Sequence, residues 1–118
     1  MPETLEASRE RAVALASAVV TGEMDLLEAA PALAAALNAL GCTWDDQAYK
    51  AFGLIASETD ALPIGEQCKF WSAEALARME PELERARSWA AAIGEPACQE
   101  VLERFGRSPD TPREENAV

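Results

Sequence analysis

The chain has 118 residues, 49% of them apolar, with a formal net charge of −11 and no histidine. Such a length and apolar fraction set the expectation of one folded domain and exclude a disordered chain. The charge repels nucleic-acid phosphate and anionic membrane, and the missing histidine removes the commonest general base, nucleophile partner and metal ligand.

Alanine is abundant and β-branched residues are few, which favours helices. Cys42, Cys68 and Cys98 form no CxxC spacing, so no zinc site is read. They are expected to be reduced thiols acting as small core residues, as in a cytoplasmic protein. The opening MPETLEASRERAVAL lacks the apolar stretch of a signal peptide, and the apolar run 29–36 is too short to span a bilayer. The preference for Ala and Arg over Lys points to a bacterial source.

The first helix is predicted over residues 2–21. Leu5, Ala12, Leu15, Ala16, Val19 and Val20 fall on one stripe, Glu3, Glu6 and Glu10 crowd its positive end, and Gly22 suits a left-handed stop. Asp25 and Glu28 have capping-box spacing. Because Pro31 removes a backbone donor, a short helix over 26–30 is expected, then a second from Pro31 that buries Leu33, Leu37 and Leu40 and ends at Gly41. Thr43 is placed to cap the next helix, with Asp45 and Asp46 in its first turn. Its apolar stripe is Trp44, Ala48, Phe52 and Ile55, with Tyr49 beside it, and its end falls near Ser57.

Ser72 caps the last segment. Leu76, Met79, Leu83, Ala86, Ala90, Ile93, Ala97 and Val101 keep one phase through Pro81 and Pro96. That phase predicts one long helix bent at the prolines, or collinear pieces sharing a face. Glu100 with Arg104, and Glu103 with Arg107, have favourable i, i+4 spacing. Residues 1–106 are thus expected to form one helical domain, and the polar residues 107–118, with two prolines, a disordered tail. The fold expected is all-α, a compact bundle of four to six helices with one structured loop at about 57–71.

The loop, SETDALPIGEQCKFW, holds the candidate chemistry. Glu58 and Asp60 could offer a cation two oxygen ligands, but Thr59, Ala61 and Leu62 break the alternation of a calcium loop. Lys69 could lower the pKa of Cys68, yet no histidine or second thiol stands near in sequence. The structural alternative uses more of these residues. Ser57, Thr59 and Asp60 turn the chain, Leu62 and Ile64 plug the bundle, and Pro63 holds Leu62 extended. Gly65 allows the next turn, and Phe70 with Trp71 enters the core ahead of the Ser72 cap.

SETDALPIG followed by WSAEALARMEPELERA resembles a group of small uncharacterised bacterial proteins. In that group a Ser-Glu-Thr-Asp-x-Leu-Pro segment precedes a Trp and a long Ala/Glu/Arg-rich helix. The resemblance runs over about residues 19–105. It implies a bacterial cytosolic helical domain and a role for Glu58, Thr59 and Asp60 beyond turn-making, and it brings no activity.

The expected function is a small acidic binding protein that neutralises or regulates a basic protein partner, as immunity proteins do. No nucleic acid, membrane, cofactor or metal is implied. Asp45, Asp46, Glu58, Thr59, Asp60 and Glu66 are the candidate contact residues, with Trp44 or Trp71 as an anchor if not in the core. The alternative is a carboxylate enzyme or cation- or ligand-binding domain built on Glu58 and Asp60.

Overall fold

Each helix begins where an oxygen-bearing side chain takes up free backbone donors. In a computed structural model describing residues 4–106, the side chains of residues 65–67 apart, Thr4 caps α1, Leu5–Val20. Asp25 caps α2, Leu26–Ala39, and Asp46 caps α3, Gln47–Glu58. Ser72 caps α4, Ala73–Phe105, by accepting from the Ala75 N–H. One 3-10 turn, Gly65–Phe70, lies between α3 and α4, and no strand occurs among the described residues. Residues 2–3, the tail 107–118 and the Glu103–Arg107 pair lie outside the described residues.

The chain is therefore all-α, a bundle of four α-helices. α1 packs on α2, α2 on α3, α3 on α4, and α4 also reaches α1 and α2. Directions follow from the contacts at the ends. Arg9 of α1 donates through Nη1 to the Phe105 carbonyl at 2.7 Å, so the start of α1 meets the end of α4. Asp25, at the start of α2, pairs with Arg87 midway along α4, whereas Cys42, past the end of α2, lies 3.9 Å from Arg104. α2 thus runs with α4. Asp46, at the start of α3, pairs with Arg104, so α3 runs against α4. Successive helices are therefore antiparallel, the usual up-and-down order of a bundle.

Two glycines end helices in the left-handed region, Gly22 at φ 84° and Gly41 at φ 94°. Beyond each, an N–H folds back to the last turn: Glu23 to Ala18 O at 2.8 Å and Cys42 to Leu37 O at 3.0 Å. The core centres on Leu27, Leu33, Leu37, Phe52, Ile55 and Val101, all essentially without solvent contact. α1 contributes small residues, Ser8, Ala12 and Ala16, spaced four apart. Gly94 of α4 is part of the same economy of space. A Cβ there would sit 2.5 Å from Leu26 Cδ2 and 3.0 Å from Ile55 Cδ1, so α4 comes this close to its neighbours only because the position is bare.

Four local expectations change. α2 is a single helix through Pro31, which is exposed. Buried residues on both sides of the proline, Leu27, Ala29 and Ala30 before it and Leu33, Ala36 and Leu37 after it, hold one continuous face against the core. α3 starts three residues after Trp44, capped by Asp46 rather than Thr43, so Trp44 lies ahead of the helix and 60% exposed. Its ring meets Tyr49 edge-on at 5.5 Å and passes 3.3 Å from where a Gly53 Cβ would stand. On α1, Leu5 and Val20 face solvent, and Ser8 takes a place on the buried side. Phe70 is 85% exposed rather than inside, and Trp71 is half-buried. α4, in contrast, is one helix through both Pro81 and Pro96.

Candidate functional site

The loop after α3 is anchored by apolar residues. Thr59 closes α3 from a buried position: its N–H and its Oγ1 both donate to the Ile55 carbonyl, at 3.1 and 2.7 Å. The Leu62 N–H then returns to Thr59 O at 3.1 Å, and Leu62 and Pro63 are buried, with Ile64 packed against the core. Cys68 Sγ donates to the Pro63 carbonyl at 3.1 Å, tying the 3-10 turn to this anchor. Trp71 is extended, at φ −113° and ψ 141°, where the chain leaves the 3-10 turn for α4. Phe70, the last residue of the 3-10 turn, faces solvent, and Trp71 beside it is half-buried.

Glu58 and Asp60 flank Thr59 and are both exposed. Among the described residues no group of three or more His, Cys, Asp or Glu side chains is placed to hold a metal ion. Glu66 has its side chain outside the described part. Asp45 and Asp46 lie at the other end of α3, about 18 Å from Glu58 at 1.5 Å per residue. The candidate acids therefore divide into two separate places.

At the first place, Asp46 works inside the fold. Its Oδ1 accepts from the N–H groups of Ala48 and Tyr49 at 3.0 and 3.1 Å, and its Oδ2 meets Arg104 Nη1 at 2.8 Å. Burial acts to raise its pKa, but the Tyr49 N–H, Arg104 and Cys42 outweigh it, and the carboxyl titrates below its ordinary value. Arg104 also holds Glu100 at 2.9 Å and lies 4.8 Å from the Phe105 ring centre. Asp46, Arg104 and Phe105 line a polar recess of about 400 Å3 with Cys42 and the exposed Asp45. Burial and the Asp46 carboxylate push the Cys42 thiol up, which works against its use as a nucleophile at neutral pH. Cys98 is fully buried, and burial with nearby Glu95 pushes it up to about 11.

A second concavity of about 540 Å3 opens between α3 and α4. Its walls are Ala48, Ala51 and Leu54 on one side and Ile93, Pro96 and Ala97 on the other. Gln47, Lys50 and Glu100 stand on the rim, and Leu54 remains 43% exposed. The groove exists because the α3 positions bordering α4 are mostly small and Pro96 is exposed beside them.

No protein-family model, curated protein or solved structure matches the chain. Among the described residues no helix is long and apolar enough to cross a membrane. The groove residues were not singled out in the sequence, where Ala48, Ile93 and Ala97 read as core positions. The legible signal was Leu54, an apolar residue off the Ala48–Phe52–Ile55 stripe.

Proposed function

We propose that this protein is a small acidic binding protein of the bacterial cytosol that neutralises or regulates a basic protein partner, as immunity proteins do. The observation that carries it is the α3–α4 groove, an apolar cleft left open on a molecule of net charge −11. An apolar centre with charged surroundings is the ordinary composition of a protein-binding surface. The charge balance points to the sign of the partner. Arg9, Arg78, Arg87 and Arg104 each pair with a carboxylate of the same chain. Glu58, Asp60, Glu80, Glu82 and Glu84 are exposed, and with a net charge of −11 the outward field is negative and draws lysine- and arginine-rich surfaces.

The test is retention of a partner from native cytosol on immobilised protein, read at low and at high salt. A lysine- and arginine-rich protein that binds stoichiometrically and is released as salt rises is the expected result. Recovery of only neutral or acidic proteins, with no salt dependence, would reject a basic partner.

A further inference from the structure

Resting on the partner-binding function above, we propose that the α3–α4 groove seats an amphipathic helix of the partner, with apolar residues three or four apart and basic residues beside them. The dimensions come first. The groove is walled by α3 from Gln47 to Leu54 and by α4 from Ile93 to Glu100. Seven residues of helix advance about 10 Å, close to two turns, so an occupying helix would set three or four side chains into the cleft.

The floor favours a helix over a flat surface. Ala48, Ala51 and Ala97 carry only a methyl each, which lets a third backbone approach two antiparallel helices, and Leu54, Ile93 and Pro96 supply apolar walls. Charge selects the flank. Glu58 is exposed one turn beyond Leu54, and Glu103 is exposed just beyond Glu100. Acids therefore stand past both ends of the cleft, on a chain of net charge −11. Lys50, the cation on the rim, suits a carboxylate or the carbonyl end of the incoming helix.

The probe is a synthetic Lys/Leu peptide patterned as an amphipathic helix, with a scrambled peptide of the same composition as control. Binding is measured to the full chain and to two variants at a partly exposed wall residue, Leu54→Glu and Leu54→Lys. Circular dichroism verifies that both variants remain folded. Groove docking requires the patterned peptide to bind at least about tenfold more tightly than the scramble, and both variants to weaken it by a similar factor. Simple charge attraction predicts opposite signs: Glu tightens, Lys weakens, and the scramble binds equally. That pattern would overturn the proposal. So would dimerisation of the free protein, or saturable dodecanoate binding, abolished by both variants while peptide binding is unchanged. A native basic partner held equally by wild type and both variants would leave the proposed function standing and remove the groove from it.

Discussion

Phe52 and Phe70 carry the same ring, yet one has no solvent contact and the other is 85% exposed. Phe52→Ala should therefore cost about 3–5 kcal/mol. Half-buried Trp71→Ala should cost about 1–2 kcal/mol, and Phe70→Ala no more than about 0.5 kcal/mol in denaturant melts. A loss at Phe70 as large as at Phe52 would mean that the loop closes over it. Apolar identity alone could not sort these residues, because Phe70 and Trp71 are adjacent and differ only in how the end of the 3-10 turn leaves them exposed. Trp44 escaped for a related reason: the helical period holds only from Gln47 onward. The thiols give a second test at this scale. Cys68 is partly exposed, whereas Cys42 and Cys98 are buried with raised pKa values. A neutral-pH thiol reagent should label Cys68 first and reach Cys98 only as the chain unfolds; equal labelling rates would contradict the burial.

At the scale of elements, Pro31 is an exposed residue inside α2 and removes a hydrogen bond that its neighbours could support. Pro31→Ala should stabilise the protein by about 1–3 kcal/mol, and destabilisation would mean that α2 depends on the proline for its shape. In the sequence the proline argued for two helices, because its local cost is visible there and the burial of Leu27 and Leu33 on one face is not. Caps were easier to read. Asp25, Ser72, Gly22 and Gly41 act through neighbours a few residues away, so their signals are local. Asp46 was legible as an acid at a helix start but not as the partner of Arg104, since that pairing depends on how α4 lies along the bundle. Asp46→Asn keeps a good cap and loses the ion pair, for a cost of no more than about 1 kcal/mol; Asp46→Ala loses both, about 1–2 kcal/mol. Because the folded pKa of Asp46 is lowered, its stabilisation is present above the unfolded value and fades as pH falls through the folded one. The Asn variant should therefore lose less stability than wild type on acidification below about pH 4. Identical acid limbs in the two proteins would show that Arg104 contributes nothing there.

For the whole molecule, a net charge of −11 opposes the compact state through self-repulsion. Individual surface ion pairs, such as Arg78 with Glu74, work in the other direction but contribute about 0–1 kcal/mol each. The repulsion should win, so Tm should rise as ionic strength goes from about 0.01 M to about 0.15 M and the screening length falls from about 30 to about 8 Å. A falling Tm would mean that the ion pairs dominate. The all-α architecture was readable from alanine content and from the phase of α4. The groove was not, because it arises from how far apart two helices lie, and no residue signals that by itself.

α4 holds the first turns of two other helices, at points 17 residues or about 25 Å apart along its axis. Arg87 braces the carboxylate that caps the Leu27 amide, and Arg104 braces the one that caps the Ala48 and Tyr49 amides. Pro96, which offers no amide hydrogen to its own helix, falls between the two points. Opening events on either side of it need not be shared, so the bundle should breathe as two units with separate exchange rates. In amide hydrogen exchange, Arg87→Gln should expose Leu27 to deuterium without touching Tyr49, and Arg104→Gln should do the reverse. If either substitution speeds both amides together, α4 opens as a single body and Pro96 is no boundary within it.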